Sequence, residues 1–173
     1  MFDFTLLMGQ GLQELSAHGA FLTTSNGAAV NTMTISWGFV GFMWEKPHFI
    51  TVVRPQRYTK EILDNGGASF TVSIPFGNAL KEALSICGSK SGREIDKSTV
   101  VHFIPGRSVT TPVVDGCGLY YECRTSHSQQ LDGKLLPGEI KQKYYTNDYH
   151  FMYFGEITDC YRELSKSYNT KRQ

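Results

Sequence analysis

The chain is punctuated by turn residues every few positions, and the sharpest of these signals is Asn26-Gly27. An Asn-Gly dipeptide between two strand-like runs favours a tight hairpin, because these residues accept backbone conformations that others resist. Residues 20–24 are therefore expected to pair with residues 30–37. A second pair is expected between 39–44 and 49–54, across the turn at 45–48. A further strand spans 68–74, where Phe70, Val72 and Ile74 share one face at period two and Pro75 closes the run. Thr59 is a candidate cap for a short helix ending near Asn65-Gly66, and Asn78 for another stopped by Gly88. The β pattern returns at 100–104, 119–124 and 149–157, and 166–173 reads as a polar, frayed tail. Many short strands with few helices favour a closed or nearly closed antiparallel barrel over a parallel α/β sheet.

Length and charge narrow the functional classes. With 173 residues, no repeat and no linker-like stretch, one domain over 1–173 is the simplest organisation. Seventeen Lys and Arg against 16 Asp and Glu leave a net charge of +1, so no global field draws the chain to nucleic acid or an acidic membrane surface. Any anion site must be local. Asp3 stands where a signal peptide would carry a cation, and no apolar run approaches a membrane span, so a cytoplasmic protein is expected. Cys87, Cys117, Cys123 and Cys160 are irregularly spaced and are expected to be reduced thiols. No His-Glu-x-x-His, Cys-x-x-Cys or Gly-x-Ser-x-Gly occurs, and no metal site is expected.

Two segments carry candidate chemistry. In Asn31-Thr32-Met33-Thr34-Ile35-Ser36-Trp37, alternation puts Met33, Ile35 and Trp37 on one face and the hydroxyls of Thr32, Thr34 and Ser36 on the other. The hydroxyls either face water, as on any half-exposed strand, or lie along a polar ligand held by side-chain oxygens and backbone amides. In Arg54-Pro55-Gln56-Arg57-Tyr58-Thr59-Lys60, cations follow a buried strand and a hydroxyl stands at a helix start. That suits a phosphate, since Arg offers a planar fork and a helix start offers unpaired N–H groups. A solvated turn with a routine Thr cap fits these residues equally well. The polar stretch at 87–97 is no Walker loop, because Leu84 and Ser89 stand where glycines are needed. Gly9-Gln10-Gly11 fails as a dinucleotide fingerprint, with Glu14 at the third glycine position.

Taken in order, the 31–37 and 54–59 segments resemble motifs of the flavin reductase-like family, and of its flavoredoxin branch in particular. The same holds for Phe70-Thr71-Val72-Ser73-Ile74-Pro75, Cys87-Gly88-Ser89-Lys90-Ser91-Gly92-Arg93 with Asp96-Lys97, and His150 ahead of Phe154-Gly155-Glu156-Ile157. The similarity runs from about Gly19 to Ile157. It implies an FMN-binding split barrel with short peripheral helices and a homodimer with flavin near the subunit interface. By matching position, Asn31, Thr32, Met33, Thr34, Ile35, Ser36 and Trp37 would border the ring and ribityl chain. Arg54, Arg57 and Thr59 would grip the phosphate, Ser91, Arg93 and Lys97 would close over the cofactor, and His150 would sit near the ring or a nicotinamide. The implied activity is reduction of FMN by NADH or NADPH, with electrons passed to a small-molecule or protein acceptor. The alternatives are a flavoredoxin-like carrier with no nicotinamide site and a non-catalytic ligand-binding barrel. The sequence departs from the family at Asn147-Asp148-Tyr149-His150, where many members carry Gly-Asp-His.

Overall fold

The hairpin around Asn26-Gly27 forms as its residues dictate: the strands on either side pair antiparallel, from Ser25 opposite Val30 to Ala20 opposite Ile35. Gly27 takes a φ of 85°, which glycine adopts without steric cost, and the Asn26 side-chain oxygen accepts the N–H of Ala28 and of Ala29. The computed structural model describes residues 2–78 and 80–162, so the polar tail at 166–173 lies outside the described residues.

In chain order the elements are α1 (Met8–Ala17), β1 (Ala20–Ser25), β2 (Val30–Ile35), β3 (Gly38–Met43), β4 (Lys46–Val53), α2 (Tyr58–Asp64), β5 (Ser69–Ile74), α3 (Lys81–Ser89), β6 (Phe103–Ile104), β7 (Val113–Val114), β8 (Leu119–Gln130), α4 (Gly138–Tyr144) and β9 (Phe151–Tyr161). A 3-10 turn at Lys97–Thr99 precedes β6. Seven strands make one antiparallel sheet in the order β2-β1-β5-β8-β9-β4-β3, and β6 pairs with β7 alone.

The two free edges, β2 and β3, are consecutive in the chain and joined only by Ser36-Trp37. A two-residue link spans at most about 11 Å, so the sheet must curl until its edges meet at that corner. Leu22, Met33, Phe49, Phe70, Tyr121 and Tyr153 come from six different strands, yet their side chains share one buried cluster. The result is an antiparallel barrel split between β2 and β3, as expected. The outer face carries a second cluster, in which Phe21, Tyr120 and Tyr161 pack with Leu84 and Cys87 of α3 and with Val113 and Val114 of β7.

Several local expectations are corrected. The β3–β4 turn is the dipeptide Trp44-Glu45, both at positive φ (53° and 60°), not the 45–48 stretch. Neither residue advertises a left-handed conformation, so the turn gave no signal. Helix α2 is capped by Arg57, leaving Thr59 inside the first turn and fully buried. Helix α3 begins at Lys81 after Leu80, not at Asn78, and runs through Gly88. Helices α1 and α4 were not expected, although Glu139 in the first turn of α4 and Lys141 and Lys143 in its last suit the helix dipole. Gly11, poor for a helix, lets α1 lie against the sheet, because a Cβ there would come within 2.7 Å of Leu119 Cδ2. All four cysteines are free and buried.

Candidate functional site

Two adjoining cavities open beside the free edge of β2. The first, about 310 Å³, is lined by residues 33–37, Val52 near the end of β4, Arg54 just beyond it, Arg57 and His150. The second, about 210 Å³, is lined by residues 31–33, 56–59 and Cys87, with 89–92 and Glu94. Met33 and Arg57 line both. Every expected site residue borders one cavity or the other except Arg93 and Lys97.

The β2 segment departs from simple alternation. Met33 and Ile35 enter the core, but Trp37 lies beyond the strand end and is 44% exposed, its ring 5.4 Å from Tyr144 and 5.2 Å from His150. The threonine hydroxyls already have partners within the protein. Thr32 Oγ1 donates to the Leu22 carbonyl and accepts from Thr23, and Thr34 Oγ1 donates to the Leu84 carbonyl at 2.5 Å. What β2 offers instead is backbone. Antiparallel alternation, counted from the Asn26 N–H to Ala29 C=O bond that closes the turn, aims the N–H and C=O groups of Thr32 and Thr34 away from β1.

Of the expected cations, three are already engaged. Arg54 forms an ion pair with Asp148 and donates to the Tyr144 carbonyl at 2.7 Å. Arg93 pairs with Glu61 at 2.5 Å and lies over the Tyr58 ring. Lys97 is 3% exposed and donates to the carbonyls of Lys90 and Ile86, closing the end of α3; burial lowers its pKa. Arg57 differs. Its side-chain bond is to a neutral acceptor, the Gly88 carbonyl at 2.9 Å, and among the described residues no carboxylate lies within ion-pair distance. Burial, and then the charge of Arg54, lower its pKa, so it would gain from an anion.

Asn31 supplies a second unmet demand. Its amide nitrogen donates to Thr59 Oγ1 at 2.9 Å, while its Oδ1 is buried without a partner. Gly92 closes over that oxygen: a Cβ at position 92 would stand 2.0 Å from it. A ligand hydroxyl could meet that oxygen only if the 91–92 loop shifted, so the fit to a phosphate-bearing group is carried by Arg57 rather than by Asn31. Ser91 Oγ accepts the Arg93 N–H and orders this loop. Cys87 is no thiolate here, because burial raises its pKa.

His150 is 6% exposed, and burial, then Arg54, lower its pKa to about 4, so the imidazole is neutral at pH 7. Its Nδ1 lies 2.9 Å from the Tyr145 hydroxyl. Sequence reasoning missed Tyr145 and Tyr144, since nothing in spacing marks them. The departure at 147–150 resolves simply: Asn147 takes φ 74°, the conformation glycine would supply, and Asp148 is free to pair with Arg54.

The flavin reductase like domain model matches residues 13–171. The chain belongs to the flavin reductase like family. Its redox role is therefore flavin-related. Similar solved structures include an FMN-binding protein from Thermus thermophilus with bound 1-cyclohex-2-enone, at 23% identity and TM-score 0.66, covering 84% of this chain and 70% of that one. A flavoredoxin from Methanosarcina acetivorans follows at 25% identity and TM-score 0.65, covering 84% and 68%. An NADH:FAD oxidoreductase from Streptomyces globisporus aligns at 16% identity and TM-score 0.64, over 94% and 87%. A search of curated proteins finds no match. No helix among the described residues is long and apolar enough to cross a membrane.

Proposed function

We propose that this member of the family holds FMN, takes electrons from NADH or NADPH and passes them to a small-molecule or protein acceptor. The observation that carries the proposal is Arg57, a half-buried cation without a carboxylate partner among the described residues, at the junction of the two cavities. A phosphate would supply the missing charge, and a charge-assisted pair is the strong kind of hydrogen bond. Residues 33–37 and His150 would border the ring in the larger cavity. Asn31, Thr59 and Ser91 would border the chain and phosphate in the smaller one, where the missing side chain of Gly92 lets its loop pack against Asn31. FMN, when bound, supplies the hydride-accepting centre, and the protein supplies position and electrostatics.

A homodimer is part of the same proposal. Phe39, Phe42 and Trp44 stand 58, 66 and 58% exposed on the β3 edge and its turn, an aromatic face suited to a second copy. Light scattering should return twice the monomer mass, and a monomer fully loaded with FMN would count against the pairing.

The deciding experiment is an absorption spectrum of the purified chain with mass spectrometry of released cofactor, followed by anaerobic titration with NADH and NADPH. One FMN per chain that bleaches with either nucleotide supports the reductase. Bleaching only with a reduced protein points to a flavoredoxin-like carrier, as the resemblance to flavoredoxins suggests. Protein that stays colourless after FMN is added overturns the proposal in favour of a non-catalytic barrel.

A further inference from the structure

We propose that Tyr145 is a positioning residue for His150: its phenol donates to Nδ1 and holds the imidazole as the Nε2–H tautomer, a fixed neutral donor on the wall of the larger cavity. The consequence for redox chemistry rests on the flavin assignment above, but the tautomer itself does not.

The geometry is specific. Tyr145 Oη and His150 Nδ1 are 2.9 Å apart, with the two rings edge-on at 82°. The phenol oxygen has no other hydrogen-bonding partner among the described residues, so if it accepted from Nδ1–H its own proton would have no protein acceptor. Burial also raises the phenol pKa, which keeps that proton in place to donate. Tyr145 is itself immobilised from three sides. Its backbone N–H closes the last turn of α4 on the Lys141 carbonyl at 2.9 Å, its ring lies 5.1 Å from the Tyr149 ring, and the Arg54 guanidinium sits 5.4 Å from its centroid.

The groups that act on His150 favour the neutral ring. Trp37 packs an apolar surface at 5.2 Å, and Arg54 and Arg57 oppose a positive charge. Asp148 favours one, but it is committed to Arg54. With Nδ1 occupied as an acceptor, the remaining ring nitrogen must carry the proton. His150 lines the cavity, so a neutral N–H donor is available there to a ring carbonyl or nitrogen, and it does not switch near neutral pH.

Long-range proton–nitrogen NMR of histidine-labelled protein tests this directly, with His150→Gln assigning the signals. Flavin-free wild type at neutral pH should show the Nε2–H form of His150 in excess over a measurable minor Nδ1–H form. Tyr145→Phe, with an unchanged circular dichroism spectrum, should lower the Nε2–H to Nδ1–H ratio about two- to tenfold, the factor equivalent to one neutral hydrogen bond. A wild type with the Nδ1–H form in excess, or a ratio indifferent to Tyr145→Phe, overturns the proposal. Should that variant misfold, 3-fluorotyrosine at position 145, a stronger acid with the same ring, must raise the ratio or sink the idea. Wild type that takes no FMN defeats the flavin assignment while leaving the tautomer readable, so the two failures are distinguishable.

Discussion

Arg54 and Asp148, 94 residues apart in the chain, form an ion pair that ties the end of β4 to the turn before β9. Arg54 also donates to the Tyr144 carbonyl, so one guanidinium fastens the segment that carries Tyr145 and His150. An arginine expected on a phosphate is already engaged as a clasp for the cavity wall.

Arg54→Ala should therefore loosen residues 141–150 without a preference for phosphate. Trypsin should cleave faster at Lys141 and Lys143, and FMN and riboflavin should weaken by similar factors in fluorescence titrations. A loss confined to FMN would return Arg54 to the phosphate.

Arg57→Ala should behave in the opposite way. Losing a charge-assisted hydrogen bond to an ionised group costs about 1.5 to 3 kcal/mol, roughly ten- to a hundredfold in affinity. FMN should weaken by that factor and riboflavin far less, at one fixed salt concentration because exposed charges are screened. Equal weakening of both would mean that Arg57 acts through the Gly88 carbonyl and the fold.

Lys97→Met should cost stability and leave flavin selectivity alone. The buried ammonium satisfies the carbonyls of Lys90 and Ile86, and leaving buried acceptors unpaired costs about 1 to 3 kcal/mol. Urea unfolding should show a lower midpoint at constant slope, while the ratio of FMN to riboflavin affinity stays at the wild-type value.

His150 predicts a pH window. Its folded pKa of about 4 lies below the unfolded value near 6.5, so between those pH values the unfolded chain binds more protons. Its contribution is complete above the unfolded pKa and is lost as pH falls toward the folded one, by at most about 1.4 kcal/mol per pH unit. Denaturation midpoints should drop across that range, and His150→Gln should flatten the drop. An identical slope in the variant would place the titration elsewhere.

The local sequence determined whatever depends on neighbours along the chain. Asn26-Gly27 specified its hairpin, and period-two alternation put Phe70, Val72 and Ile74 in the core. It also gathered nearly all the residues that line the two cavities, because motifs at the ends of β2 and β4 converge wherever a split barrel forms. Only the tertiary structure decided how charge was distributed among them. Arg54, Arg57, Arg93 and Lys97 carry the same sign and similar reach, so spacing cannot rank them as phosphate ligands. What distinguishes them is distant partners: Asp148 for Arg54, Glu61 for Arg93 and the Ile86 and Lys90 carbonyls for Lys97. The threonine hydroxyls of β2 were hidden for the same reason, since Thr34 meets Leu84 only when α3 packs across the strand. An ion pair or a buried hydrogen bond is settled by which atoms the closed fold brings within about 3 Å, and pattern along the chain carries that only where the partners are close in sequence.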